Sequence, residues 1–161
     1  MAPHMHKNLA YDPFKDFAPI SKLTIQPLLL VVHPSLPVRT AKEFIALARA
    51  RPGQLDYASS GLGGTGHLAG ELFKTVTGIN LVHIPYKSAG PALTDLTSGQ
   101  VQVMFGTLLA SVPLIRNNKL RPIAVTSLKR SAAMPDPLGR TSGREPICMR
   151  SITSIGVTEW K

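Results

Sequence analysis

The sequence has few cysteines, few aromatic residues and no long apolar run, and each shortage excludes a class of protein. It has one cysteine, one tryptophan, three tyrosines and five phenylalanines in 161 residues. A lone Cys148 excludes an internal disulfide and argues against a cysteine metal cluster. No apolar run reaches the roughly 18 residues of a membrane span, and the longest candidate, 28–32, is predicted to be a buried strand. The spacing of the histidines predicts no metal site.

Acidic residues are also scarce, and the net charge is +9. The basic residues are scattered, however, and few of them lie as close together as Lys129-Arg130 and the pair Arg49 and Arg51. A nucleic-acid-binding protein usually shows a basic stripe together with a recognisable reader motif. We therefore predict a solvated basic surface and no nucleic-acid partner.

The most informative stretch is glycine-rich and runs from Tyr57 to Glu71. A short strand is predicted before it, over 54–58, and apolar residues at helical spacing predict a helix over 68–76 behind it. Glycines allow close backbone approach, and the N–H groups at a helix start attract anions. The stretch therefore predicts an anion cradle, whose candidate ligand-binding residues are Ser59, Ser60, Gly61, Gly63, Gly64, Thr65 and His67.

Three other interpretations of this stretch differ in how well the sequence supports them. Gly61, Gly63 and Gly66 also fit the dinucleotide-binding fingerprint, although the acidic residue expected about 20 positions later is absent. If that alternative held, Lys87 would favour a phosphorylated dinucleotide. The Gly-x-Ser-x-Gly frame of a nucleophilic serine is missing, so no catalytic residue is predicted. An ordinary strand-to-helix turn, with glycines for geometry alone, stays open.

Strands and helices of about ten residues alternate along the chain. A capping box at Thr40 and Glu43 predicts the start of one helix, and Pro52-Gly53 its end. This alternation predicts an α/β fold with a doubly wound, largely parallel sheet and helices on both faces. The predicted strands cover 18–23, 28–33, 54–58, 79–86, 101–105 and 120–127.

Ligands of such sheets bind outside the carboxyl ends of the strands. The loops predicted there are 59–67, 86–90 and 106–107, which adds Tyr86, Lys87, Gly106 and Thr107 to the candidate ligand contacts. His67 could donate to a bound carboxylate or make a local hydrogen bond, and both alternatives stay open. His83, in a buried strand, is predicted to be structural.

Several ordered motifs resemble a known family. They are Tyr11-Asp12-Pro13, Tyr57-Ala58-Ser59-Ser60-Gly61, His67-Leu68-Ala69-Gly70-Glu71-Leu72-Phe73, His83-Ile84-Pro85-Tyr86-Lys87, Gly90-Pro91-Ala92-Leu93 and Ala124-Val125-Thr126-Ser127. Together they are similar to the Bug, or TctC-type, extracytoplasmic solute receptors of tripartite tricarboxylate transport systems. The resemblance extends from about residue 8 to residue 136.

The resemblance implies one lobe of a two-lobed periplasmic binding protein. Such a receptor closes on small carboxylates, such as dicarboxylates, tricarboxylates, amino acids or aromatic acids, and delivers them to membrane permease subunits without catalysis or a cofactor. The glycine-rich loop would belong to the second lobe. The exposed face where the first lobe docks would favour self-association, and an isolated lobe would bind weakly. A remnant with no activity is the other alternative.

The departures from the family divide the chain into three parts. Residues 1–17 are predicted to be a lead-in or hinge segment, 18–136 the ligand-binding lobe, and 137–161 a poorly ordered tail unlike the family. The family's signal peptide and first lobe have no counterpart here, so we expect a truncated gene, a frameshift product or a cloned fragment. The family implies a periplasmic location, whereas the chain as encoded would stay in the cytoplasm.

Overall fold

A computed structural model describes residues 11–12, 15–18, 20–21 and 26–126. Most of the predicted lead-in and all of the predicted tail, 137–161, lie outside these residues. The division of the chain into three parts therefore stays a prediction.

The described core alternates strands and helices and forms one five-stranded sheet in the order β3-β2-β4-β1-β5. The elements are β1 (Leu28–Val32), α1 (Ala41–Ala50), β2 (Asp56–Ser59), α2 (Thr65–Thr77), β3 (Val82–Pro85), α3 (Ala89–Ser98), β4 (Val103–Thr107), α4 (Leu108–Arg116) and β5 (Arg121–Val125).

Four of the five strands point the same way. β2 pairs in parallel with both β3 and β4, whereas β1 runs antiparallel to its neighbours β4 and β5. The predicted α/β fold with a largely parallel sheet is confirmed, and β1 is its one reversed strand.

Helices cover both faces of the sheet, as predicted. One core cluster joins α1 and α2 to the sheet, and the other joins α3 and α4 to the opposite face. Alternate residues of β1 enter different clusters: Leu30 and Val32 the first, Leu29 and Val31 the second. A strand buried on both faces needs apolar side chains at every position, which explains its unbroken apolar run.

The capping box predicted for α1 is present, except that Glu43 bonds to the backbone of Arg39 and not to that of Thr40. Thr40 Oγ1 accepts the N–H of Glu43 at 3.2 Å. The Glu43 carboxylate accepts the N–H of Arg39 at 2.7 Å, one residue earlier than the usual reciprocal bond. The helix begins at Ala41, directly after this cap.

Several sequence-based boundaries need correction. α2 begins at Thr65 and not at 68, so Thr65 and His67 lie in the helix and not in the predicted loop 59–67. β3 covers Val82–Pro85 and not the predicted 79–86. Of the strand predicted over 18–23, Ala18, Ile20 and Ser21 lie in no strand, and the other positions are outside the described residues. Gly106 and Thr107 were predicted to form a loop, but they end β4. They extend the strand because β1 offers partners: Leu29 pairs with Gly106 and Leu28 with Thr107.

Both ends of the continuously described segment meet at one place. The N–H of Leu28 donates to Thr126 Oγ1 at 2.8 Å, and the N–H of Thr126 donates to the carbonyl of Leu28 at 2.9 Å. The chain therefore enters the sheet at β1 and leaves it after β5 at neighbouring points.

The longest helix of the described residues is α2, with 13 residues. None of the described helices has the length and hydrophobicity needed to cross a membrane.

Candidate anion-binding site

Three helices begin at the same edge of the sheet. α2, α3 and α4 follow β2, β3 and β4, which are parallel to one another, so their N-termini share that edge. Their N-cap residues are Gly64, Ser88 and Thr107, and none of the three supplies a side-chain capping bond. The N–H groups of a first helical turn have no partner inside the helix, so here they are available to an anion.

The fourth described helix is built differently. α1 follows the reversed strand β1, and the carbonyls of Leu36 and Val38 just before it bond to Arg121, the first residue of β5. α1 therefore begins near the opposite edge of the sheet, and Thr40 caps it. Uncapped N-termini are confined to the edge where the sequence predicted a ligand.

The Ser59 hydroxyl holds the glycine-rich loop in place through hydrogen bonds to Gly61. Ser59 is fully buried, and its Oγ donates to the carbonyl of Gly61 at 3.1 Å and accepts the N–H of Gly61 at 3.3 Å. The same Oγ lies 2.6 Å from Nε2 of His83. Of the predicted hydroxyl ligands, Ser60 and Thr65 are exposed at this edge, whereas Ser59 holds the loop.

Glycine is required at two loop positions by backbone conformation. Gly61 has a φ of 141° and Gly63 a φ of 73°, values that residues with a side chain rarely adopt. Between them and α2, Gly64 forms the turn by donating its N–H to the carbonyl of Gly61 at 3.4 Å. The loop therefore folds back tightly before the helix begins.

His67 makes a local hydrogen bond, one of the two alternatives left open by the sequence. Its Nδ1 accepts the N–H of Gly63 at 3.0 Å. Its ring stacks on His83, with ring centroids 4.2 Å apart and an interplanar angle of 16°. Because Nδ1 is an acceptor, neutral His67 carries its proton on Nε2.

Tyr86 and Lys87 follow β3 beside the loop, as predicted, but their side chains differ in availability. Tyr86 donates its backbone N–H to the carbonyl of Ser59 and its hydroxyl to Asp95 Oδ2 at 2.7 Å. Burial, together with the hydrogen bond and charge of Asp95, raises the pKa of Tyr86 to about 12. Lys87 is exposed, and no ion pair within the described residues includes it.

Gly106 and Thr107 bring the end of β4 to the same edge. Gly106 is buried, and a Cβ there would lie 2.9 Å from Ser111 Oγ. That hydroxyl is itself buried and has no hydrogen-bond partner among the described residues. Thr107 is both the last residue of β4 and the N-cap of α4.

A polar group that sequence reasoning missed lies behind the loop. The Tyr57 hydroxyl donates to Glu71 Oε1 at 2.6 Å, and Lys74 Nζ lies 2.9 Å from the same oxygen. Burial alone would raise the pKa of Glu71, but the hydrogen bonds from Tyr57 and Lys74 and the nearby positive charges lower it overall. The sequence placed Glu71 on the helix body, and nothing in its spacing indicated Tyr57 as a partner.

The described residues include no cluster of three or more histidine, cysteine, aspartate or glutamate side chains that could hold a metal ion. The chemistry that the described edge offers is hydrogen-bond donation to an anion from backbone N–H groups and hydroxyls.

The pKa of His83 predicts how stability depends on pH. Burial lowers it first, then the positive charges of His67 and Lys74, against an opposing effect of Glu71. As pH falls below the ordinary value of 6.5, the unfolded chain takes up a proton at His83 before the folded chain does. This contribution to stability is present above that pH and is lost as pH falls toward the lower folded pKa.

Urea unfolding near pH 8 and near pH 5.5, about the range in which histidines titrate, measures this loss. The matched variant is His83→Gln, whose amide can still reach Ser59 but does not titrate. We expect a smaller decrease in stability for the variant than for the wild type. Equal decreases in the two proteins would contradict the assignment to His83.

Residues 1–153 match the family described as the tripartite tricarboxylate transporter family receptor. The chain belongs to this family. The resemblance deduced from the motifs is therefore confirmed, and the family is one of solute receptors, not a class of enzymes.

Among individual relatives, BugT of Bordetella pertussis is 37% identical over 128 residues, which are 80% of this chain and 39% of BugT. The solved structure of R. palustris Rpa4515 with adipate is 45% identical with a TM-score of 0.70, and the match covers 78% of this chain and 42% of that one. MatC from Rhodopseudomonas palustris, with bound malate, is 30% identical with a TM-score of 0.68, covering 76% and 42%.

These structures confirm one lobe of a periplasmic binding protein-like fold. The chain spans 39% and 42% of the lengths of BugT and Rpa4515. It therefore corresponds to well under two thirds of these relatives.

Proposed function

We propose that this chain is a ligand-binding lobe of a receptor for small carboxylates, which serves a transporter of the tripartite tricarboxylate type. The observation that supports it is the position of three helix N-termini without side-chain caps at one edge of the sheet, the edge that holds the glycine-rich loop. Helix N-termini attract anions through unpaired N–H groups and the helix dipole. The chain acts by binding, without a catalytic residue or cofactor.

The relatives support the class of ligand. Rpa4515 was solved with adipate and MatC with malate, and both ligands are aliphatic dicarboxylates. BugD is described as a periplasmic binding protein, which supports a periplasmic place of action for the proposed receptor. Family membership also favours the carboxylate over the dinucleotide that the glycine spacing left open.

The candidate ligand contacts divide into two groups. The first-turn N–H groups of α2, with the hydroxyls of Ser60 and Thr65, face the anion in this proposal. Gly61, Gly63 and Gly64 shape the loop, because their own N–H groups already bond within it. Lys87 supplies a positive charge, and the N-terminus of α4 at Gly106-Thr107 adds further donors. Ser59, His67 and Tyr86 act indirectly, because their polar side-chain atoms already bond within the lobe.

Affinity is expected to be low, because a two-lobed receptor encloses its ligand from both sides and this chain spans only about two fifths of its relatives. Self-association is proposed as well: Leu62 and Leu109 expose 73% and 85% of their surface at the ligand edge. Exposed apolar surface of this kind favours contact with another protein surface.

A substitution that adds a side-chain cap to α2 tests the proposed site. Gly64 is the N-cap of α2 in an extended conformation, and a Cβ there meets only ordinary contacts, of which the nearest is Gly61 O at 3.4 Å. In Gly64→Asp the new carboxylate would cap the helix and occupy the anion position. Two unit charges about 4 Å apart repel by roughly 4 kcal/mol near a protein surface, so we expect at least a tenfold loss of carboxylate affinity.

The measurement is an NMR amide titration with malate and adipate at high concentration. The matched control is Thr40→Asp, which adds the same charge at the α1 cap, away from the ligand edge. We expect wild type and Thr40→Asp to show shifts at the amides of residues 60–67, and Gly64→Asp to show none while its melting temperature is retained. Shifts induced only by NAD or NADP, or no shifts in a folded wild type, would overturn the proposal.

A further inference from the structure

Three rings form a stack behind the glycine-rich loop. Tyr57 stacks on His83 with ring centroids 4.7 Å apart, and His83 stacks on His67 at 4.2 Å. The rings come from β2, β3 and α2, so the stack joins two neighbouring strands to the helix that follows the loop.

Each imidazole of the stack bonds to one side of the loop. His67 Nδ1 accepts the N–H of Gly63 at 3.0 Å. His83 Nε2 lies 2.6 Å from Ser59 Oγ, which exchanges two hydrogen bonds with the backbone of Gly61. The two left-handed glycines of the loop are thus each restrained through a histidine.

The bond to Gly63 depends on protonation in a way that the bond to Ser59 does not. Nδ1 accepts a hydrogen bond only while it carries no proton, and an imidazolium has N–H donors at both nitrogens. The hydroxyl of Ser59, by contrast, donates its one proton to the carbonyl of Gly61 and therefore accepts from Nε2–H of His83, which is a donor in neutral and in protonated His83. Uptake of a proton at His67 Nδ1 therefore places two donors, N–H and N–H, against each other.

The charges around His67 come from the three elements that pack together here. His83 faces it from β3, Tyr57 lies on β2 beyond His83, and Glu71 and Lys74 lie on α2 itself. The Glu71 carboxylate is already bonded by Tyr57 Oη and Lys74 Nζ, which compensate its charge.

We propose that His67 is a positioning residue that holds the glycine-rich loop through Gly63, and that the loop is released when Nδ1 of His67 takes up a proton. His83 supports the ring of His67 from behind by stacking and anchors the loop at Ser59. The hydrogen bond between Gly63 and His67 forms without a ligand. Its effect on ligand affinity rests on the function proposed above.

Two substitutions separate the hydrogen bond from the proton. In His67→Asn, the side-chain oxygen can lie about where Nδ1 lies, so an acceptor for Gly63 is kept and titration is lost. In His67→Leu, neither an acceptor nor a titrating group is present. Because His67→Asn keeps the hydrogen bond to Gly63, it is the control that separates loss of this bond in His67→Leu from misfolding caused by replacing His67.

The first measurement is the amide signal of Gly63 in the ligand-free protein, followed from about pH 8 to about pH 5, the range in which histidines titrate. The Gly78 amide, which donates to the carbonyl of Lys74 at 2.8 Å, is the internal reference. In wild type we expect the Gly63 signal to move with the same midpoint as the ring nitrogens of His67. In His67→Asn the Gly63 signal should stay at the position that wild type shows near pH 8.

The proposal would be overturned if the Gly63 signal does not follow the titration of His67, or if it still changes with pH in His67→Asn.

The second measurement is malate affinity near pH 8, where the loss of one hydrogen bond in His67→Leu should weaken binding by about three- to tenfold. His67→Asn, which keeps the acceptor for Gly63, should bind malate more tightly than His67→Leu. Absence of malate binding by wild type would contradict the proposed function, and the ligand-free titration would still decide the role of His67.

Discussion

Replacing Phe73 with alanine is expected to lower the free energy of unfolding by about 3–5 kcal/mol, the usual cost of deleting a buried phenyl ring. Phe73 is buried in the middle of α2, and its ring centroid lies 6.1 Å from that of Phe44 and 5.6 Å from that of Phe105. It therefore connects two helices and the centre of the sheet. Because a domain is stable by only about 5–15 kcal/mol, Phe73→Ala should leave little residual stability.

The neighbouring residue provides the control for this experiment. Leu72 lies on the same helix but exposes 58% of its surface. Urea unfolding should show a change within about 0.5 kcal/mol for Leu72→Ala, as is usual for surface substitutions. Similar losses in Phe73→Ala and Leu72→Ala would mean that α2 does not pack on the sheet through Phe73.

The second large effect is expected at Gly66, the second residue of α2. A Cβ there would lie 2.7 Å from the carbonyl oxygen of Phe105, a backbone atom of β4. Gly66→Ala must therefore move the start of α2 away from β4, and overpacking of this kind typically costs about 1–3 kcal/mol. We expect that loss in urea unfolding, together with the loss of any carboxylate binding, because the N-terminus of α2, where we propose that the anion binds, is displaced.

Gly90 is a closely matched control for Gly66, because it is the second residue of α3. A Cβ at Gly90 would meet only Ser88 Oγ, at 3.9 Å. Gly90→Ala should raise the free energy of unfolding by about 0.4–1 kcal/mol, since alanine restricts the unfolded chain without a clash. A similar response of the two variants would show that the contact between Gly66 and Phe105 does not limit the packing of α2.

Elements with a strong local signal were predictable from the sequence. The apolar run of β1 and the cap of α1 depend on residues within a few positions of each other, and both were found close to the predicted bounds. The end of β4 was missed because Gly106 and Thr107 are held by pairing with β1, which lies more than 70 positions earlier. Glycine within a strand gives no local sign of such pairing.

The candidate site was predictable in outline but not in its internal bonds. The position of the loop followed from glycines between a strand and a helix, and the shared edge followed from parallel strands. The stack of Tyr57, His83 and His67 depends on the register that places Tyr57 beside His83, which the sequence does not specify. The role of Ser59 likewise depends on the pairing of β2 with β3, and that of Glu71 on the packing of α2 against Tyr57 of β2.

The paired hydrogen bonds between Leu28 and Thr126 have a consequence for the architecture of any longer protein. A unit whose two ends are adjacent can be inserted into another domain without separating that domain's own segments. Chain segments that precede β1 and follow β5 would therefore join this unit through two connections that lie side by side. Bending at those two connections would carry the sheet and its four described helices as a rigid body, with the proposed anion-binding edge unchanged in shape.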